Sequence, residues 1–429
     1  MSENILDIEI AAIGSRGDGI TRTDKGTLYV PYGAPGDLVR VRVPAKGPDR
    51  SRAEITEILR PGPDRQPPAC PHFTQCGGCA VQHIASRPYE SWKRQLVCAA
   101  LEHRGIESSV VLPLISGGLA RRRRTRLSAR KTAAALLLGY RASRSHLIVP
   151  VQECAVLAPP IVHIFPSLRS LLETILKSGE EAEVAITLCA TGLDVTIASP
   201  ADPDLAMRES FVGFAESEDL ARLSWQKLSR GRLDDAETIV RRRAPELPLS
   251  GLSIEPPPDA FVQPTAEGEK TLQEGVQAAL AGASRVADLY AGCGAFALAL
   301  AVSGSHVLAV ESEADHSDAL MAAARRGGID ARLSTEIRDL HRRPLAGDDL
   351  RPLDGLVLDP PRAGALNQVR AIAETPVPVV AYVSCNPASF ARDARVLMDG
   401  GYRLESVLPV DQFLFTSHVE LLGVFRQPD

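Results

Sequence analysis

Apolar positions along the chain change their spacing three times. Over the first sixty residues they fall in short runs at 6–13, 27–30, 37–43 and 53–59, parted by Gly and Pro. Regular short strands with turn signals predict a small β-barrel. The Pro-rich stretch 61–68 reads as a linker, and a Cys-rich stretch at 69–84 precedes a helical pattern over 89–102. Residues from about 110 to 245 are mixed and mostly strand-like, closed by a second Pro-rich joint at 247–258. Beyond that joint strand and helix patterns alternate. Strands are expected at 286–290, 307–310, 355–358 and 379–383, and helices at 296–302, 314–327, 366–374 and 390–400. Such alternation predicts a parallel, doubly wound α/β sheet. Three units follow: an OB-like β-barrel over 1–62, a mixed α+β central domain over 63–258, and a Rossmann-like α/β domain over 259–429. The helix near 88–105 is a candidate addition to the last.

The 429 residues are 45% hydrophobic and 24% charged, an ordinary globular balance. The net charge of −5 argues against a nucleic-acid partner until the chain is divided. Residues 1–150 carry 23 Lys and Arg against 13 Asp and Glu, whereas the remainder carries 25 against 40. That asymmetry suggests a polyanion-binding end. No acidic residue lies between Glu107 and Glu153, where Arg121, Arg122, Arg123, Arg124, Arg126, Arg130, Lys131, Arg141 and Arg144 cluster. The run alternates with Leu127, Ala129, Leu136 and Leu138, which predicts a strand pair offering arginines to phosphates. A basic run can equally be a solvated face.

The opening residues 1–7 have neither a basic nor an apolar leader region, so no secretory signal is expected. No apolar run approaches the ~18 residues of a membrane span. The expectation is a cytoplasmic monomer in a reducing compartment. The eight cysteines there point to metal binding or catalysis rather than disulfides.

Five motifs carry chemistry. Asp288-Leu-Tyr290-Ala-Gly292-Cys-Gly294 is a strand running into a glycine turn, where a ligand can approach the backbone. The three-glycine dinucleotide fingerprint is missing, and Glu311 ends the next strand, placed to accept the hydroxyls of a ribose. S-adenosyl-L-methionine suits that combination better than NAD. Asp359-Pro-Pro-Arg362 ends a third strand; amino-methylating enzymes share Asp-Pro-Pro but follow it with an aromatic residue. Ser384-Cys385-Asn386-Pro387 puts a thiol at the end of a fourth, in surroundings expected to lower its pKa. His418 and Glu420 lie in a further apolar strand, and a carboxylate there is costly unless edge-exposed or functional. A general base near Cys385 is the pointed reading. Finally, Cys70-x5-Cys76-Gly-Gly-Cys79, with distant Cys154, can close a four-thiolate site for zinc or an iron–sulfur cluster.

Taken in order, Phe261-Val-Gln263, Asp288 to Gly294, Glu311, Asp359 to Arg362, Ser384 to Pro387 and His418-Val-Glu420 resemble the uracil-C5 RNA methyltransferase family. The resemblance implies Cys385 as nucleophile at uracil C6 and Glu420 as the base that removes the C5 proton. It implies Gln263, Tyr290, Gly292, Glu311 and Asp359 around the methyl donor. The cysteine string looks like the cluster-bearing branch of the family, which implies a [4Fe–4S] cluster on Cys70, Cys76, Cys79 and Cys154, with zinc the alternative. The leading barrel, with Ala12-Ile-Gly-Ser-Arg-Gly-Asp-Gly19, resembles the TRAM RNA-binding module. A 23S rRNA substrate is implied, with tRNA as the rival, as is an RNA grip by Arg121, Arg122, Arg123, Arg124 and Arg126. A non-catalytic, cluster-bearing RNA-binding protein is the reading from outside enzymology. The chain departs from the family at Pro264-Thr265, Ala291 and Ala295.

Overall fold

A computed structural model describes residues 4–24, 26–44, 51–229 and 231–428. Residues 1–3, part of the stretch without leader features, lie outside the described set. The leading strands form two three-stranded antiparallel sheets. Asn4–Glu9, Leu38–Val43 and Glu54–Arg60 make one; Ala12–Ile13, Gly19–Thr23 and Gly26–Val30 make the other. The run expected as one strand over 6–13 breaks at Ile10, whose N–H turns to Asp37 O at 2.9 Å. Gly19–Thr23 was not anticipated, because its Thr-Arg-Thr centre offers no apolar run. Ile10, Val30, Val39, Val41 and Ala53 fill the core between the two sheets.

The central region is an eight-stranded sheet in which Arg124–Lys131 lies between Glu181–Cys189 and Leu136–Arg141. Leu127, Ala129 and Leu138 point inward with no exposed surface, as their alternation with arginines predicted. The mostly-strand reading missed two helices, Phe165–Ile175 and Leu205–Ser217, which cover that apolar face with Phe165, Leu168, Leu172 and Phe211. Their start signals were present: Pro166 in the first turn of one, and the Asp204 carboxylate capping Met207 N at 2.9 Å in the other.

The last region is a seven-stranded sheet. Its order is Leu333–Ile337, His306–Glu311, Arg285–Leu289, Gly355–Leu358, Val379–Ser384, Glu420–Arg426 and Arg403–Val410. The first five run parallel, and Glu420–Arg426 is antiparallel to both its neighbours. Each face packs its own apolar layer. Leu289, Leu358, Tyr382 and Phe390 fill one, together with Val97 and Leu101 of helix Ser86–Glu102. Val357, Ala381, Val383, Leu272 and Phe296 fill the other, together with Leu247, Leu249 and Ile254 of a short hairpin. Helix Ala266–Ala279, which supplies Leu272, went unread in the sequence; Thr265 caps it by accepting from Gly268 N at 3.1 Å. That cap gives the family-atypical Pro264-Thr265 a local reason.

Candidate active site

Ligands of open α/β sheets lie beyond the carboxyl ends of the strands, and the chemistry-bearing motifs converge there. Strand Arg285–Leu289 ends in Tyr290 at φ 64°, Gly292 at 52° and Gly294 at 83°. A bulky side chain at positive φ is strained backbone, a state that clusters at ligand sites. The two glycines differ. A Cβ on Gly294 would lie 2.3 Å from Leu320 Cδ1, whereas one on Gly292 would meet no atom within 4 Å. Gly294 thus allows helix Ala295–Val302 to pack, and Gly292 faces open space. Asp288 holds the start of that helix by accepting from Ala297 N at 2.8 Å. Its second oxygen, Oδ1, is buried without a partner, and burial holds the carboxyl well above its usual range. Glu311 accepts from Gly292 N at 2.8 Å and from Ser312 N at 2.7 Å, which fixes the carboxylate beside the glycine turn.

Three adjacent strands then bring three reactive groups together. Asp359 follows Gly355–Leu358, Cys385 follows Val379–Ser384, and Glu420 opens the antiparallel strand on the other side. Glu420 is 3% exposed and its strand lies inside the sheet, so the costly carboxylate is not an edge residue. Burial, and then the charge of Asp359, push its pKa well above the ordinary carboxylate value. Asp359 is half-buried, accepts from Gln263 Nε2 at 3.3 Å and is raised by desolvation to about 7. Gln263 Oε1 accepts in turn from Gln412 Nε2 at 2.9 Å.

Cys385 departs from expectation. Burial first, then Glu420 and Asp359, hold its thiol up at about 11, and only Arg362 pulls it down among the neighbouring charges. The polar flanks read as a sign of reactivity serve the turn: Asn386 caps helix Pro387–Asp399 by accepting from Ala388 N at 3.1 Å, and Asn386 N donates to Ser384 Oγ at 3.2 Å. They seat the thiol one residue before a helix N-terminus, where the dipole favours a thiolate. His418 does not share the strand of Glu420. It lies in the preceding loop, its Nδ1 3.3 Å from Arg362 Nη2 and its ring 5.9 Å from that of Phe413.

A cavity of about 900 Å³ opens above Cys385. Cys70, Cys76, Cys79 and Cys154 line it as well, although they come from two distant segments. Gly77 N donates to Arg141 O at 3.0 Å and so docks the cysteine string against the central sheet. Among the described residues no group of three or more His, Cys, Asp or Glu is arranged to hold a metal ion. Burial pushes the Cys79 thiol up to about 12, and the other three thiols add to the shift. Cys98, Cys189 and Cys293 are buried in apolar layers.

The arginine run separates by environment. Arg123 corrects the expected grip: it is 7% exposed, lies 2.9 Å from Glu269 and donates from Nε to Gln263 O at 3.0 Å, because the segment just before strand Arg124–Lys131 docks on the 263–264 backbone, where Arg123 N donates to Pro264 O at 2.9 Å. Arg124 is half-buried, with its guanidinium 4.6 Å from the ring centre of Phe261. Arg121 pairs with Glu267 at 3.1 Å, and Arg126 with Asp259 and with Glu183 at 3.3 Å. Arg122 faces the cavity, 5.7 Å from the ring centre of Phe413. Gln412, Asp411 and Lys93 were missed. Lone polar residues in loops and one lysine in a helical pattern carry no local signal.

The sequence profile of the family described as tRNA (Uracil-5-)-methyltransferase matches residues 251–427. An uncharacterized RNA methyltransferase of Mesorhizobium japonicum is 40% identical over 98% of this chain and 97% of its own length. The 23S rRNA (uracil(1939)-C(5))-methyltransferase of Chromohalobacter salexigens is 31% identical over 96% of this chain and 87% of its own. The tRNA (uracil-54, C5)-methyltransferase of Pyrococcus abyssi, solved with S-adenosyl-L-homocysteine, shares the fold at TM-score 0.75 and 20% identity, covering 98% of this chain and 100% of that one. Among the described residues no helix is long and apolar enough to cross a membrane. A thiol between two carboxylates at the strand ends, beside an open glycine turn, agrees with these likenesses, and the chain belongs to the S-adenosyl-L-methionine-dependent RNA (uracil-C5)-methyltransferase family.

Proposed function

We propose that the protein converts a uridine of 23S rRNA to 5-methyluridine. The observation that carries the reading is the meeting of Cys385, Asp359 and Glu420 on three neighbouring strands, with Cys385 on the wall of a cavity that also receives Arg122 and Arg362. Uracil C5 is a poor nucleophile. Cys385, as thiolate, adds to C6, and the electron pair displaced to C5 takes the methyl group. Glu420 then accepts the C5 proton, the C5–H pair restores the double bond, and Cys385 leaves. S-adenosyl-L-methionine supplies an electrophilic methyl on a positive sulfonium. Gly292 leaves room for it, Glu311 and Gln263 are fixed to orient it, and Tyr290 and Asp359 complete the pocket. The pKa directions give these residues a second task. With Asp359, Glu420 and Cys385 all raised, the free site favours its protonated forms, and an arriving cation favours their ionisation.

Four thiols on the walls of one cavity, one of them far away in sequence, support a [4Fe–4S] cluster on Cys70, Cys76, Cys79 and Cys154. Zinc, the alternative, would draw the four sulfurs to within about 4 Å of one another. The paired leading sheets support a TRAM-like RNA grip, with Arg121, Arg122, Arg124 and Arg126 continuing it.

The relative from Chromohalobacter favours rRNA; the family profile and the Pyrococcus fold keep tRNA as the second reading. The test is incubation of the protein and methyl donor with 5-fluorouridine-containing 23S rRNA fragments or tRNA, followed by mapping of any protein–RNA adduct. An adduct through Cys385 with rRNA is expected. One confined to tRNA overturns the rRNA assignment, and none with either overturns the reaction.

A further inference from the structure

Helix Ser86–Glu102 is hydrogen-bonded to the loop 411–418 and buries a charge against it. The side chains of Lys93 and Asp411 have no exposed surface, and Lys93 Nζ lies 2.9 Å from Asp411 Oδ1. The same Nζ donates to Phe413 O at 3.1 Å and to His418 O. Tyr89, one turn earlier, donates to Asp411 Oδ2 and accepts from Phe415 N at 2.9 Å. The loop so gathered reaches two other places. Next to Asp411, Gln412 donates to Gln263, which donates to Asp359. Phe415 O accepts from Ala80 N at 2.8 Å, one residue after Cys79.

An enclosed ion pair is an expensive way to fill a core. Apolar side chains of the same volume often serve stability as well or better. What the ammonium adds is direction, because its three donors meet three acceptors, one carboxylate and two carbonyls, from separate points of the loop. His418 O is one of them, and Glu420 follows two residues later. Two residues span at most about 7 Å, so a shift of that carbonyl passes into the start of the catalytic strand.

We infer that Lys93, seconded by Tyr89, is a positioning residue for proton removal: by holding the His418 carbonyl it sets the placement from which Glu420 reaches the substrate. The inference rests on the role proposed above for Glu420. A 5-fluorouridine substrate separates the steps, since adduct formation needs Cys385 and methyl transfer, whereas release needs a proton at C5. Wild-type protein must first give the adduct; its absence would refute the reaction reading and not this one. In full-length Lys93→Met the adduct rate is expected to stay within about threefold of wild type. Turnover on ordinary RNA should fall about 100-fold, the scale of a misplaced general base, with KM for RNA little changed. Lys93→Met combined with Asp411→Asn leaves no buried lone charge, and it should show the same split if the single variant does not fold. Parallel loss of adduct and turnover, or unimpaired turnover in either variant, overturns the inference. Failure of both variants to fold also overturns it, in favour of a scaffold role.

Discussion

Arg123 is the one member of the run 121–124 and 126 that is fully buried, and its replacement isolates what burial does to an arginine. Arg123 and Glu269 join the central sheet to helix Ala266–Ala279 with side chains 8% and 7% exposed. Arg123→Met keeps the stem and removes the charge, leaving the Glu269 carboxylate enclosed and unpaired. Breaking such a pair from one side costs about 3–5 kcal/mol, or a melting temperature lower by on the order of 10 °C. The pH dependence has a definite sign. Burial raises Glu269 and Arg123 opposes the rise. Without Arg123 the folded pKa climbs further above the ordinary 4.5. The deficit should therefore be smallest below that value and grow as pH rises through the folded pKa, with the unfolded chain ionising first. Thermal unfolding at pH 5 and pH 8 measures it, and Arg123→Met with Glu269→Leu should recover most of the loss. RNA affinity of the folded variant should keep its salt slope, whereas Arg122→Met should flatten it by about 0.7–0.9 for one lost phosphate contact. An Arg123→Met protein as stable as its parent at pH 8, or one with a flattened salt slope, would refute the assignment.

With Asp359 at about 7, binding of the cationic methyl donor should release a proton, and affinity should rise with pH until about 7 and then level off. Calorimetry in buffers of different ionisation heat measures that proton, and Asp359→Asn should reduce the number released. Gly294→Ala, at φ 83° and against Leu320, should destabilise by on the order of 3 kcal/mol in thermal unfolding. Gly292→Ala has room and pays only for its φ, yet its methyl occupies ligand space, so calorimetry should show weakened S-adenosyl-L-homocysteine binding. Cys70→Ser should lower iron content and visible absorption in anaerobically purified protein while leaving S-adenosyl-L-homocysteine affinity unchanged; equal iron in both proteins would count against the cluster.

The β/α alternation after residue 285 was legible because fully buried parallel strands are near-continuous apolar runs: Gly355 to Leu358 and Val379 to Val383 are unbroken, and Val286 to Leu289 is broken only by Asp288. Arg403–Val410 and Gly19–Thr23 were not legible, since polar residues interrupt them and pairing partners supply their order. The motifs around Cys385, Asp359 and Glu420 could be found in sequence because each needs particular residue types at a strand end. Their protonation could not. The thiol at about 11 is set by enclosure and by two carboxylates that arrive from other strands. The arginine run likewise looked uniform until packing turned Arg123 inward and left Arg122 over the cavity. Lys93 looked like an unremarkable helix residue, and only the return of the chain three hundred residues later encloses it against Asp411. Sequence alone determined which chemistries the chain could attempt, because those depend on residue type and local spacing. Tertiary structure decided which charges are paired, which thiols share a cavity and which loop meets which carboxylate, because desolvation and Coulomb energy depend on distances in space between segments remote along the chain.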